Sequence, residues 1–297
     1  MNPVVSLVVI SYNASAYVLE TLESAFRQTY PNLELIISDD GSTDNTCTLC
    51  KDWLTKHANR FVRTQLVTSD VNTGTSRNAN RGMQQATGEW LKIIAADDIL
   101  KNDCIEQFLQ VVLKNANIKA CCSSQTPFIE QFTEENLKPE KNYHQAYFFN
   151  PSLSARKQFL VSLFKYNIPS PTFFIQKKLF TDIGGYDNTM RIIEDTPLYY
   201  RVLLANEKIH YLNRSTVYYR EHAFSSSKTN NERIERWKQE DRKRRLEHYI
   251  KPHVSKFTYW LHEQLMKYYF DRNTFSIWKK HIITHTALLL IKTNLIR

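Results

Sequence analysis

Strand and helix signals alternate four times within the first hundred residues, and this alternation constrains the fold more than any single motif does. Residues 4–10 are a continuous apolar run, the pattern of a strand covered on both faces of a parallel sheet. Ser11-Tyr12-Asn13 follows, and then Tyr17, Val18, Leu22, Ala25 and Phe26 recur on one helical face. Pro31-Asn32 turns the chain into a second strand at 33–37, which ends in Ser38-Asp39-Asp40-Gly41-Ser42-Thr43-Asp44. A helix through Leu49, Trp53 and Leu54 comes next, and residues 66–68 read as a third strand. Asn72-Thr73-Gly74-Thr75-Ser76 opens a helix carrying Arg77, Asn78, Asn80 and Arg81; Gly88 closes it, and residues 90–94 form the fourth strand. Repeated βαβ units are right-handed and set their strands in parallel. The expectation is an α/β, Rossmann-like, mostly parallel sheet flanked by helices.

The strand tips are acidic. Lys92-Ile93-Ile94-Ala95-Ala96-Asp97-Asp98-Ile99-Leu100 is an apolar strand that ends in two adjacent carboxylates. Such groups cost desolvation energy unless a cation or donor meets them. At the carboxyl edge of an open α/β sheet they face the crevice where ligands bind. Hard divalent cations take oxygen ligands, and Mg²⁺ commonly takes one or two carboxylates together with substrate phosphates. The structural alternative is a cap for the helix that starts near Asn102. Asp39-Asp40-Gly41-Ser42 is a second acid pair on the same edge, suited to accept hydrogen bonds from a base or ribose; an Asx-turn at Asp40-Gly41 and an N-cap at Asp44 are the structural alternative. Neither G-x-x-x-x-G-K-[ST] nor G-x-G-x-x-G occurs, so a nucleotide here would need a metal and cationic side chains to neutralise its phosphates.

Composition narrows the partners. A net charge of +9 points to an anionic one: nucleic acid, lipid headgroups or a phosphorylated substrate. Five cysteines, an odd number, without a secretory leader point to a reducing compartment, hence the cytoplasm. No run reaches the ~18 apolar residues of a membrane span. Cys47-Thr48-Leu49-Cys50 has redox spacing but no second pair, which favours helical packing of two thiols.

Beyond Leu100 the alternation loosens. The pattern predicts a helix at 103–113, a strand at 120–123, a long loop at 134–151 and a helix at 155–164. Pro169-Ser170-Pro171-Thr172 reads as a rigid turn. Gly184-Gly185-Tyr186-Asp187 precedes a helix starting near Glu194, and a late strand at 217–219 ends in Arg220-Glu221-His222. Arg220 suits a phosphate through its bidentate geometry, and the His222 imidazole suits a metal or a diphosphate. Ser225-Ser226-Ser227 reads as a hinge into a charged helical region holding Arg242-Lys243-Arg244-Arg245. In the last forty residues Trp260, Leu261, Leu265, Trp278 and Ile282 are interleaved with basic residues. Such a helix either lies in a headgroup layer or packs its apolar face on the rest of the protein.

Six segments taken in order carry a resemblance: Val8-Val9-Ile10-Ser11-Tyr12-Asn13, Ser38-Asp39-Asp40-Gly41-Ser42-Thr43-Asp44, Asn72-Thr73-Gly74-Thr75-Ser76, Ala96-Asp97-Asp98-Ile99-Leu100, Gly184-Gly185-Tyr186-Asp187 and Glu194-Asp195. Over residues 1 to about 225 the chain resembles a family 2 inverting glycosyltransferase with the GT-A fold, of the kind that builds bacterial O-antigen, capsule or exopolysaccharide. The resemblance implies a catalytic domain at 1–225, with a nucleotide-sugar-binding half at 1–100 and an acceptor-binding half at 101–225, followed by a helical extension at 226–297. It implies a nucleotide-sugar donor, usually a uridine diphosphate sugar, with Mn²⁺ or Mg²⁺. The acceptor would be a glycan or lipid-linked saccharide, which places the protein on the inner face of a membrane.

Carried over by position, Tyr12 and Asp40 would contact the base, with Ser11, Asn13 and Asp39 beside them. Asn72, Arg77 and Asn80 would line the nucleotide-sugar, and Asp97 would reach the ribose or donor sugar. Asp98, with His222, would bind the metal; Asp195 would be the general base, with Glu194 adjacent. Two positions depart from the family pattern: Ala95 stands where an earlier acid is common, and Ala79 stands where Arg is. Three further readings stay open. One is a basic nucleic-acid-binding protein built on residues 242–245, although those charges are mixed with Glu240, Asp241 and Glu247. The others are a related nucleotidyltransferase and a nucleotide-sugar-binding homologue without activity.

Overall fold

The computed structural model describes residues 2–141, 147–164, 168–222, 232–268 and 274–296. Four strands, β1 (Val5–Ser11), β2 (Leu33–Asp39), β3 (Arg63–Thr68) and β4 (Trp90–Ala95), alternate with α1 (Val18–Phe26), α2 (Thr46–His57) and α3 (Thr75–Gln85). Then come β5 (Ile99–Leu100), α4 (Cys104–Val112), β6 (Ala120–Ile129), α5 (Ala155–Phe164), β7 (Phe174–Gln176), α6 (Lys177–Asp182), α7 (Asp195–Leu204) and β8 (Ile209–Glu221). The C-terminal extension is α8 (Glu232–Arg245), a π-helical turn at Leu246–Ile250, α9 (Lys256–Tyr268) and α10 (Thr274–Lys292).

All eight strands join one sheet in the order β3-β2-β1-β4-β7-β6-β8-β5. The first four pair in parallel, as the alternation predicts. The second half is mixed rather than parallel. β7 runs antiparallel to both β4 and β6, β8 pairs in parallel with β6, and β5 closes the far edge antiparallel to β8. The late strand expected at 217–219 spans thirteen residues, Ile209–Glu221, and carries register shifts opposite Ser123–Gln125. Its first half is polar, which hid it from an apolar pattern search. The expected loop at 134–151 contributes isolated bridges from Leu137 and Lys141 back to β6; residues 142–146 of it, and the hinge expected at Ser225-Ser226-Ser227, lie outside the described residues.

β1 shows why the sheet is central. Val5, Leu7 and Val9 enter one core with Val18 and Leu22 of α1, Trp53 of α2 and Phe108 of α4. Val8 enters the opposite core with Met83 of α3, Phe159 of α5 and Leu198 of α7. A strand buried on both faces is mostly apolar, each apolar side chain contributing about 1.5–3 kcal/mol, and the buried Ser6 is bonded to Glu34 of β2. The same second core takes Tyr249, Ile250, Leu261, Leu265, Ala287 and Ile291, so the extension packs onto the layer of α3, α5 and α7. Of the two alternatives for the tail, packing is observed for one face. Trp260, Trp278, Ile282 and Leu289 leave an apolar outer face exposed.

Candidate active site

Parallel register brings the acidic tips level. Ser11 sits opposite Asp39 and Ile10 opposite Ala95, so the segments after β1, β2 and β4 leave the sheet along one edge. The Asp39 carboxylate is fully buried and accepts from the Ser11 hydroxyl at 2.8 Å and from the Ser42 amide and hydroxyl at 2.8 and 2.6 Å. Burial alone would raise its pKa, but the Ser42, Cys47 and Ser11 donors outweigh burial and hold it below the usual carboxylate range. Asn13, in the left-handed region at φ 48°, bridges the same turn: its amide donates to Ser42 Oγ and its side-chain oxygen accepts from Thr43 N–H, both at 2.8 Å. Tyr12 projects between them, 47% exposed and free to lie against a planar ring.

Asp40 faces the next loop. One carboxylate oxygen accepts from Thr73 N–H at 2.9 Å and Gly74 N–H at 2.8 Å; the other meets Thr73 Oγ1 at 2.6 Å and the Arg81 guanidinium at 3.2 Å. Asn72 closes an Asx-turn onto Gly74 N–H at 3.1 Å. The turn expected at Asp40-Gly41 is closed instead by Asp39, and the helix Thr46–His57 is capped at Asn45 while Asp44 accepts from Thr46 N–H at 3.0 Å, so these carboxylates shape the rim by fixing two loops. Gly41 must be glycine: φ is +75°, and a Cβ would fall 2.8 Å from the Val71 backbone.

On α3, Asn80 is nearly buried and turned towards the Gly-Gly turn. It donates to Tyr186 O and Asn188 Oδ1, each at 2.8 Å, and accepts from Tyr186 N–H at 2.9 Å. Arg77 Nε reaches Asn188 O at 3.4 Å. These two residues join α3 to the loop that leads into Glu194-Asp195.

The first acid pair divides in two. Asp98 is buried, with one carboxylate oxygen 2.9 Å from Arg220 N–H. Burial, followed by the charge of Asp97, pushes its pKa well above the usual range, against the pull of Lys92 and Arg220. Lys92 lies wholly inside β4, its ammonium bound to the carbonyls of Ile93 and Pro171, and burial pulls its pKa down to about 8. Asp97 keeps one third of its side chain exposed and lies 3.0 Å from His222 Nε2. Arg220 is not placed to meet a phosphate. Its side chain is 1% exposed and lies between the rings of Tyr17 and Phe128, and its nitrogens reach Asp97 O, Glu130 O and Glu20. It fixes the Asp97 backbone from behind.

Asp97 and His222 are groups of the kind that bind a divalent cation, and here Asp97 Oδ2 and His222 Nε2 lie 3.0 Å apart, the distance of a hydrogen bond between them. Among the described residues no group of three or more His, Cys, Asp or Glu is placed to hold a metal ion. A Mg²⁺-type ion at a phosphate completes its shell with phosphate oxygens and water, so two protein donors suffice. Asp97 is the acid that meets His222, and Asp98 lies buried beside it.

Glu194 and Asp195 stand at the head of α7, and Asp195 Oδ1 accepts from Thr196 N–H at 2.6 Å. Desolvation, then the neighbouring Asp195, pushes the Glu194 carboxyl up to about 8, with Asp241 of α8 adding to it. The carboxylate of Asp241, fully buried, accepts from the N–H groups of Arg191, Ile192 and Ile193. Neither Asp241 nor Lys92 stood out in the sequence. Asp241 lies in a charged helical stretch where an acid signals only solubility, and Lys92 interrupts an apolar strand without an apparent partner.

A family model described as Glycosyl transferase family 2 matches residues 6–198. GlyG of Streptococcus pneumoniae serotype 4 is 34% identical over 119 residues, covering 40% of this chain and 38% of that protein. An uncharacterized glycosyltransferase of Rickettsia typhi, RT0329, is 27% identical over 208 residues, covering 68% of this chain and 59% of its own length. The chain thus spans less than two thirds of these curated relatives. Among solved structures, S. aureus TarS 1-349 in complex with UDP superposes with a TM-score of 0.59 at 14% identity, over 98% of this chain and 92% of that one. The mannosyltransferase PcManGT of Pyrobaculum calidifontis, in complex with GDP-Man and Mn²⁺, gives 0.58 at 16% identity, over 99% and 74%. At such identities the likeness is one of fold. With a family match running from β1 into α7 and the acidic strand tips on one sheet edge, this chain belongs to glycosyl transferase family 2 and has the GT-A fold.

Proposed function

We propose that this protein transfers a sugar, with inversion, from a nucleotide-sugar to a hydroxyl of a glycan acceptor. The observation that carries the reading is the contrast between two acid groups. Asp97 is partly exposed beside His222, whereas Glu194 holds its proton up to about pH 8 beside Asp195. A carboxyl whose burial holds its proton to near-neutral pH is tuned for proton transfer. Tyr12 stacks on the base, and the loops fixed by Asp39 and Asp40 shape its pocket. Asp97 and His222 would hold Mn²⁺ or Mg²⁺, which supplies charge neutralisation of the departing diphosphate when bound. Asp195, beside Glu194, accepts the proton of the attacking hydroxyl, worth roughly 10²–10⁴-fold in rate. UDP on TarS, and GDP-Man and Mn²⁺ on PcManGT, support a diphosphate nucleotide donor and a divalent ion. The resemblance to surface-polysaccharide enzymes favours a UDP-sugar and a polyprenyl-diphosphate-linked acceptor. The exposed Trp260 and Trp278 beside Lys279 and Lys280 favour a peripheral seat on the inner membrane face.

A panel of nucleotide-sugars assayed for hydrolysis with and without Mn²⁺ tests this. One donor should be turned over, and Asp97→Asn should remove the Mn²⁺ stimulation. Stimulation that survives in Asp97→Asn but vanishes in Asp98→Asn would return the metal to Asp98.

A further inference from the structure

Residues 187–193, the loop that delivers Glu194 and Asp195, are held from the C-terminal extension at several points. Asp241 on α8 is completely buried, and its carboxylate collects three consecutive backbone amides: Arg191 at 3.0 Å, Ile192 at 2.8 Å and Ile193 at 3.1 Å. Arg244, one turn on, donates to Thr189 O at 2.7 Å and lies 3.7 Å from Asp241. The Arg191 guanidinium lies over the Trp237 ring at 5.1 Å. At the start of the loop, Tyr249 donates to Asp187 at 2.7 Å and accepts from Arg201 Nε at 2.9 Å. A buried carboxylate is expensive unless donors satisfy it, and breaking such a group costs more than leaving it out would have. The donors here are amides that no helix or strand claims, and the last of them adjoins Glu194.

We propose that Asp241 is a positioning residue for the reaction: from the extension it fixes the backbone that carries the Glu194–Asp195 pair. This rests on the reading of Asp195 as the base. The charged and titratable groups facing Glu194 are Asp195 on α7, Tyr186 from the Gly-Gly turn and Asp241 on α8, with Arg244 beside Asp241. Asp241 thus has a second effect, because its charge helps to keep the pair protonated. Asparagine keeps the shape of Asp241 but removes the charge and turns an N–H₂ towards the amides.

The experiment compares full-length wild type, Asp241→Asn, Arg244→Gln and Asp195→Asn. It reads kcat and donor KM across pH, with amide hydrogen exchange at residues 191–193. In Asp241→Asn, kcat should fall about 10- to 100-fold, the scale of a misplaced reacting group, while donor KM stays within about twofold. The acid limb of its pH profile should move to lower pH, and the three amides should lose protection. Arg244→Gln, at a partly exposed side chain that folding tolerates, should lower kcat in the same direction with partial loss of protection. A folded Asp241→Asn with wild-type kcat, pH limb and exchange overturns the proposal. If Asp241→Asn does not fold, unchanged kcat and exchange in Arg244→Gln overturn it instead. Should Asp195→Asn stay active, the base assignment falls by itself, and the exchange data alone still decide whether Asp241 holds the loop.

Discussion

Burial and the neighbouring Asp195 charge raise the Glu194 carboxyl to about 8, and the two adjacent groups titrate as a coupled pair. A base must be unprotonated to work. The rate should therefore rise through an acid limb with its midpoint near pH 8, and Glu194→Gln should move that limb to lower pH while keeping measurable turnover. A profile flat from pH 6 to about 9 would exclude the pair from proton transfer. The same shift acts on stability. The folded carboxyl binds its proton more tightly than the unfolded one, so its contribution is complete below about 4.5 and is lost as pH rises through about 8. Glu194→Gln should raise the melting temperature at pH 8 and leave it nearly unchanged at pH 4. At the opposite wall, Asp97 and Asp98 differ by a single position yet separate completely. The turn after β4 and the Arg220 clamp decide which acid meets solvent, and neither is visible in an Asp-Asp dipeptide.

Among the elements, the link from α3 to the Gly-Gly turn carries the geometry between the two halves. Gly185 lies at φ +63°, and a Cβ there would stand 2.7 Å from Asn80 Oδ1 and 3.0 Å from the Phe180 ring. Gly185→Ala should cost about 1–3 kcal/mol in urea unfolding, because the backbone strains and the Asn80 bonds open together. A cost below about 0.5 kcal/mol would mean that the link yields freely. The residues at this junction stood out in the sequence, but their link did not: Asn80, expected beside the nucleotide-sugar, holds the Gly184-Gly185-Tyr186-Asp187 turn instead. The four parallel strands were plain, since strands buried on both faces are mostly apolar. The second half of the sheet was not. β8 mixes His210, Asn213 and Arg214 into a strand whose faces are only half covered, and β7 is three residues long. Such short or amphipathic strands gain their conformation from neighbours rather than from their own pattern. Arg220 and Asp241 escaped for a related reason: what each charged group does depends on partners remote in sequence, from Glu20 to Asp98 for one and on residues 191–193 for the other.

For the whole molecule, the extension belongs to the catalytic body on its inner face and leaves aromatic groups outside. Removing residues 232–297 should strip Tyr249, Ile250, Leu261 and Leu265 from the second core, giving an aggregating or strongly destabilised product. A monomeric truncated protein with an unchanged melting temperature would contradict that packing. The outer face should behave differently. Trp260→Ala and Trp278→Ala should weaken co-sedimentation with anionic vesicles while leaving the melting temperature within about 2 °C, since both rings are more than half exposed. Equal retention by neutral and anionic vesicles would argue against a basic, lipid-facing surface. The chain order of the Asp241 contact also sets a sequence in time. During synthesis the strand tips proposed to hold the donor leave the ribosome before the carboxylate that steadies residues 191–193, so on this reading a nascent chain could grip its nucleotide before it could act on it. Competence would wait for α8, the helix that looks least like part of an enzyme.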